Sequence, residues 1–334
     1  MKILLTGGTG YIGSHTALEL LNTGYEVVII DNLSNSKKEV VDMIKSITQK
    51  DVVFYEGDLR NEELVTEIFE KESIDAVIHF AGLKAVGESV QKPLYYYQNN
   101  IDSTLVLLSV MQKMNCKKIV FSSSATVYGD PIFLPLTEDH PLSTTNPYGS
   151  TKLFIENILQ DLYVSDNEWG IVILRYFNPV GSHESFLIGE NPNGIPNNLM
   201  PFINKVAFGD LEVLSVFGDD YDTKDGTGVR DYIHITDLAI GHLRALEYIK
   251  EKQVVEVVNL GTGNGYSVLE LVNSYENVNN IKLNYKIVER RPGDIATCYA
   301  DATKAKKIMN WQADKSINEM CKSAYEFYKN VKTK

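Results

Sequence analysis

Short apolar runs recur at even intervals through the first half of the chain, each followed by a longer amphipathic stretch. Lys2–Thr6, Glu26–Ile30, Val52–Glu56, Asp75–His79, Lys118–Ser122 and Ile171–Arg175 are rich in Val and Ile. Runs so short and so β-branched are predicted as strands. Between them, apolar residues at helical spacing predict helices, among them Tyr11–Asn22, Glu62–Glu70, Pro93–Met114 and Tyr148–Tyr163. Strands alternating with helices predict an α/β fold: a doubly wound parallel sheet of the Rossmann type, covered on both faces. The spacing is regular without sequence self-similarity, so this is not a repeat array.

After about Phe177 the pattern changes. Gly, Pro and Asn crowd the segment Asn178–Gly194. Beyond it, the strand Val255–Asn259 mixes with helical stretches at Thr236–Ile249, Ser267–Asn277 and Ile317–Lys329. We therefore divide the chain into residues 1–177 and a smaller α/β lobe, 178–334, which can interleave with the first sheet.

The first predicted strand runs directly into Gly7-Gly8-Thr9-Gly10-Tyr11-Ile12-Gly13. Glycines at 7, 10 and 13 allow a tight turn, close approach to a pyrophosphate and close packing of helix on strand. The helix that follows offers free N–H groups to phosphate. The second strand ends at Asp31, where a carboxylate holds adenosine ribose hydroxyls and repels a 2′-phosphate. This predicts NAD as cofactor, in preference to NADP, and makes residues 1–177 the NAD-binding domain. Asp58, after the third strand, and Phe80-Ala81-Gly82, after the fourth, fall where the adenine and inner phosphates pass. Asn32 and Asn35 beside Asp31, Leu59 beside Asp58, and Ser122 at the end of the fifth strand complete this cofactor set.

Asn146-Pro147-Tyr148-Gly149-Ser150-Thr151-Lys152 reads as a helix start, with Asn146 as cap and Pro147 in the first turn. Tyr148 and Lys152 are then one turn apart on one face. A nearby ammonium, together with the positive nicotinamide of the cofactor, is expected to lower the tyrosine and make a phenolate accessible as a general base. Ser124, at the strand end, is placed to bond the same oxygen. The predicted chemistry is hydride transfer at a hydroxyl-bearing carbon.

Charge and composition narrow the partners. The net charge of −12 argues against a nucleic-acid binder. It also means that an anionic substrate needs a few placed cations. No apolar run reaches the roughly 18 residues of a membrane span. The chain's start leaves no room for a signal peptide, so a cytoplasmic location is expected. Three scattered cysteines and six histidines show neither a disulfide framework nor a metal spacing.

Several long segments carry a family resemblance: Thr6–His15, His79–Ser89, Phe121–Asp130, Arg175–Gly181, Gly194–Pro201 and Gly226–His234. Over essentially its whole length the chain resembles the extended short-chain dehydrogenases/reductases, and within them the UDP-sugar 4-epimerases. The resemblance implies a tightly bound NAD that is regenerated in each turnover, with interconversion of UDP-galactose and UDP-glucose through a 4-keto sugar that rotates and is reduced again. It implies a homodimer. It adds Lys84, Asn99 and Phe177 as cofactor neighbours. It places Asn178, Asn198, Leu199, Phe217, Arg230, Arg291 and Asp294 along the UDP moiety. The two arginines suit a pyrophosphate clamp, Phe217 suits a base, and Asp294 suits ribose.

Cys298 bears on the choice of sugar. Relatives restricted to glucose and galactose derivatives tend to carry tyrosine there, and those accepting N-acetylated sugars carry a smaller residue. Cysteine therefore predicts activity on UDP-N-acetylgalactosamine and UDP-N-acetylglucosamine too. Tyr299 is adjacent, so a shift of one residue would restore a tyrosine. Two alternatives are disfavoured. A 4,6-dehydratase needs an Asp-Glu pair where Ala125 and Thr126 stand. A non-catalytic NAD sensor does not need Ser124, Tyr148 and Lys152 together.

Overall fold

The computed structural model describes residues 1–333 except 193, 195, 197 and 292. Residues 195 and 197, within the resemblance segment Gly194–Pro201, lie outside the described residues. The first half runs β1 (Lys2–Thr6), α1 (Tyr11–Asn22), β2 (Glu26–Asp31), α2 (Glu39–Thr48), β3 (Val53–Glu56), α3 (Glu62–Glu72) and β4 (Ala76–His79). It continues through α4 (Val86–Gln91), α5 (Pro93–Lys113), β5 (Lys118–Ser122), α6 (Pro147–Ser165) and β6 (Gly170–Tyr176). The predicted strands and helices stand within a few residues of these bounds.

Residues 178–333 supply β7 (Asn178–Val180), α7 (Leu199–Ala207), β8 (Leu214–Phe217), β9 (Val229–His234), α8 (Ile235–Ile249) and β10 (Val254–Leu260). They end with β11 (Gly265–Ser267), α9 (Val268–Asn279), β12 (Tyr285–Val288), β13 (Thr297–Cys298), α10 (Thr303–Met309) and α11 (Ile317–Thr333).

Seven strands form one parallel sheet in the order β10-β6-β5-β4-β1-β2-β3. Its strands are apolar at successive positions because both faces are covered. Ile3 and Leu5 point into a core shared with α1, α2 and α8. Leu4 points into a second core shared with α3, α5 and α6. Each such side chain, fully buried, contributes roughly 1.5–3 kcal/mol. The chain leaves the sheet after β6 and returns: α8 packs on α1, and β10 pairs with β6 along its whole length. The C-terminal half thus supplies an edge strand and a covering helix to the first layer.

The remaining elements build a smaller lobe. A mixed sheet centres on β9, which pairs with β7, β11 and β13. A second, two-stranded sheet pairs β8 with β12. Helices α7, α9 and α11 close a third core around Ile203, Leu271 and Cys321. Strand order reverses between β1 and β4, which opens a crevice at the carboxyl ends of these strands.

Candidate active site

The strand ends gather the residues predicted from sequence. Gly7 follows β1, Asp31 closes β2, Asp58 and Leu59 follow β3, Phe80-Ala81-Gly82 follow β4, Ser122 closes β5, and Phe177 follows β6. Parallel strands place all these turns on one edge.

The glycine turn is a cradle that side chains would fill. Gly7 has φ +68°, and a Cβ there would lie 2.9 Å from the Ala81 nitrogen. A Cβ on Gly13 would lie 2.5 Å from the Gly7 carbonyl oxygen. One on Gly10 would lie 3.2 Å from the same oxygen. Helix α1 begins after Gly10 with no side-chain cap and no acidic residue in its first turn, which Tyr11, Ile12 and Gly13 form. The turn is shaped for an anion, and the first turn of the helix carries no acidic residue. Tyr11 spans to the other lobe, donating to the Gly181 carbonyl oxygen at 2.7 Å.

Asp31 accepts from the Thr9 N–H at 3.1 Å, the Leu33 N–H at 2.9 Å and the Ser36 hydroxyl at 3.0 Å. Its carboxylate is thereby fixed at the mouth of the glycine turn. Asn32 donates to Asp58, which a two-pronged contact from Arg60 holds at a pKa of about 2. Asn35 stands exposed beyond Asp31. Asn99 donates to Asn100 at 3.1 Å. Asn100, which sequence reasoning missed, is buried, and it ties the Leu83 backbone to the Thr151 hydroxyl on α6. Periodicity hides it, because a polar residue on a helix signals a buried role only once its neighbours are known.

Helix α6 starts as expected: the Asn146 side chain accepts from the Gly149 N–H at 2.9 Å, and Pro147 lies in the first turn. Tyr148 and Lys152 are both buried against β5. Lys152 Nζ donates to the Ser122 carbonyl oxygen at 2.7 Å and sits 5.9 Å from the centre of the Tyr148 ring. Ser124 accepts from the N–H and the hydroxyl of Thr126, at 3.2 and 3.0 Å. With both lone-pair sides occupied, its own proton is free for another oxygen.

The expected lowering of Tyr148 does not arise from these groups. Burial raises the phenol above its ordinary value, and the hydrogen bond from Ser124 opposes this only in part. The same burial pushes Lys152 down to about 8, against the pull of Glu156. Desolvation penalises both charged forms, and here it outweighs the pairing.

The UDP candidates lie on the smaller lobe. Asn178 opens β7 opposite Tyr232, and Arg230 lies on β9 opposite Cys298. Asn198 donates to Glu190 at 2.6 Å, as Lys84 does at 3.5 Å from the first lobe. Leu199 begins α7. The Arg291 guanidinium lies 4.7 Å over the Phe217 ring and donates to Asp294 at 2.9 Å, so these three form one cluster. Phe217 is 37% exposed, and so is available to a planar partner. Cys298 packs with Val127, Tyr128, Leu136, Phe177 and Ala300, next to the Ser124 turn. Tyr299 turns away, its ring 3.4 Å from where a Cβ on Gly265 would stand.

A Rossmann sheet whose serine-tipped strand meets a Tyr–Lys helix defines a short-chain dehydrogenase/reductase. Residues 4–324 match the family model described as GDP-mannose 4,6 dehydratase. The chain is 59% identical over 327 residues to the UDP-glucose 4-epimerase of Bacillus subtilis, covering 98% of this chain and 96% of that one. The crystal structure of UDP-glucose 4-epimerase from Bifidobacterium longum with NAD+ and UDP superposes with a TM-score of 0.96 at 56% identity, covering 99% and 98% of the two chains. The UDP-Glc/GlcNAc 4-epimerase of Campylobacter jejuni superposes at 0.86 with 38% identity, covering 98% and 99%. The chain belongs to the UDP-glucose 4-epimerase family.

Proposed function

We propose that this enzyme interconverts UDP-galactose and UDP-glucose with NAD held at the glycine turn, and that it also interconverts the two N-acetylated counterparts. The observation that carries the reading is the meeting of Ser124, Tyr148 and Lys152 at the carboxyl edge of the sheet, beside the cradle of Gly7, Gly10 and Gly13. The match to a dehydratase model does not extend to the chemistry of elimination, since Ala125 and Thr126 offer no carboxyl group.

When bound, NAD supplies a hydride acceptor that takes and returns the hydrogen of the sugar C4. The chain's own residues handle the proton. Tyr148 Oη receives the proton of the 4-hydroxyl, and Ser124 donates a hydrogen bond toward that oxygen. Lys152, anchored on the Ser122 carbonyl, holds positive charge beside the phenolate. The same tyrosine returns the proton once the sugar has presented its other face. That rotation requires a firm hold on the nucleotide and a loose one on the sugar. Arg230, the Phe217–Arg291–Asp294 cluster, Asn178, Asn198 and Leu199 are the residues we assign to that hold.

The wider specificity rests on Cys298. The difference in size between cysteine and tyrosine at this position is what we take to admit the acetamido group. Helices α5 and α6 expose Leu94, Tyr95, Leu105 and Phe154, a face we assign to a homodimer. Among the described residues no helix is long and apolar enough to cross a membrane, and no side-chain cluster is suited to a metal ion. We place the enzyme in the cytoplasm.

The test is direct. Purified protein is incubated separately with UDP-galactose and UDP-N-acetylgalactosamine, and the products are resolved. Conversion of both supports the full reading. Conversion of UDP-galactose alone removes the wider specificity, and conversion of neither with NAD added removes the epimerase.

A further inference from the structure

Ser122, which closes β5, and the two serines that follow it each meet a different residue on one face of α6. Ser124 lies beside the Tyr148 hydroxyl. The Ser122 carbonyl accepts from Lys152. The Ser123 hydroxyl donates to Glu156. Tyr148, Lys152 and Glu156 are spaced four residues apart, so they form one stripe along the helix. The proposed chemistry uses the first two contacts and leaves the third unexplained.

Glu156 is fully buried, and a buried carboxylate is costly unless it is paired. Its partner is Arg175 on β6, also buried. Arg175 Nε donates to the two carboxylate oxygens at 3.1 and 3.2 Å, and a terminal nitrogen donates to one of them at 2.6 Å. The same guanidinium donates to the Tyr128 hydroxyl at 3.2 Å and to the Glu138 carbonyl oxygen at 3.1 Å. Tyr128 in turn donates to Asn259 on β10 at 2.6 Å. The carboxylate is therefore locked from β6 and from the turn after β5.

We propose that Glu156, clasped by Ser123 and Arg175, is a positioning residue that keeps Lys152 seated on Ser122 beside Tyr148. The proposal rests on the role given above to Lys152. Its physical basis is the environment of that ammonium. Tyr148 and Glu156 face it from its own helix, and the Phe121 ring lies 4.9 Å away on β5. His79 faces it from β4, and Lys152 helps to keep that imidazole neutral. Tyr176 on β6 is bonded to the Ser122 hydroxyl at 2.5 Å. Burial drives the lysine toward its neutral form, and the charge that opposes burial is that of Glu156. A carboxylate free to rotate would leave this task, and the clasp prevents it.

The experiment compares wild type, Glu156→Gln and Lys152→Met in kcat, KM and pH profile with UDP-galactose, each with NAD added and with folding checked by thermal melting. Glu156→Gln is expected to lower kcat at pH 8 by about tenfold or more, with KM within about twofold. It is expected to move the alkaline fall of kcat about one pH unit downward, because the lysine loses its proton earlier. If Glu156→Gln fails to fold, Glu156→Gln/Arg175→Met, which leaves neither charge unpaired, is expected to displace the fall in the same direction by a smaller amount, because the guanidinium charge is removed as well. A lowered kcat with an unmoved pH profile, an unchanged kcat, or failure of both variants to fold would each overturn the proposal and make the pair a structural one. Activity retained in Lys152→Met would instead overturn the role of Lys152 itself.

Discussion

Cys298 stands opposite Arg230 in the parallel register of β13 and β9, so the proposed sugar gate and a proposed phosphate ligand are neighbours on one sheet. Side chains alternate along a strand, and Tyr299 therefore faces away from the cluster that holds Cys298. Cys298 is only 8% exposed, in the cluster that also holds Val127 and Phe177, so a ring introduced there must displace its surroundings. Cys298→Tyr is expected to leave UDP-galactose conversion within a few-fold and to abolish conversion of UDP-N-acetylgalactosamine. Product analysis on both substrates checks this. Loss of both activities, or of neither, would remove the gate.

Tyr148 is the only proposed proton carrier at the reacting carbon. Tyr148→Phe keeps the ring and its packing but removes the acid–base group. A fall in kcat of about 10²–10⁴-fold is expected, with little change in KM. Steady-state kinetics on UDP-galactose decide it. A variant that retains most of its turnover would shift the base to another residue.

Asp31 accepts three hydrogen bonds, one from Thr9 in the glycine turn and two from Leu33 and Ser36 in its own loop, and its carboxylate can accept more. Asp31→Ala removes a charged acceptor, a change of about 1.5–3 kcal/mol where such a bond is made. NAD affinity should fall roughly 10- to 100-fold on that scale. Titration calorimetry measures it. Unchanged affinity would mean that the ribose is held elsewhere.

Four buried histidines set the acid limit of stability. Desolvation holds His15 and His79 at about 3, and His234 and His242 at about 4. In the unfolded chain each binds a proton near ~6.5. Stability is therefore fully present above about 6.5 and is lost as pH falls toward 4, by about 1.4 kcal/mol per pH unit for each histidine. Asp231 and Asp237, raised by burial, oppose the trend at its lower end. Urea unfolding at pH 7.5, 6 and 5 should give steadily falling free energies. A flat profile would contradict the neutral, buried state of these side chains.

The fold of the first half was legible because a doubly covered strand is apolar at consecutive positions, and the glycine turn must follow it directly. Asp31, Ser122, Tyr148 and Lys152 were legible for the same reason: strand ends and helix starts are local, and parallel topology then brings them to one edge. Asn100 and Glu156 were not legible. Each is a polar residue on a helix, and only the packing against β4, β5 and β6 reveals that its partners are buried with it.

Sequence by itself determined the alternation of strand and helix, the cofactor cradle and the spacing of the Tyr–Lys pair, since all of these are properties of neighbours along the chain. It also carried the expectation that the pair would favour a phenolate. Burial raises the tyrosine and lowers the lysine, so the protein's own groups do not supply that lowering by themselves. Only the tertiary structure decided that β10 returns to the first sheet, that Cys298 and not Tyr299 packs in the cluster with Val127 and Phe177, and that Arg175 closes on Glu156. Those relations depend on which surfaces meet, and surfaces meet through packing between segments distant in the chain.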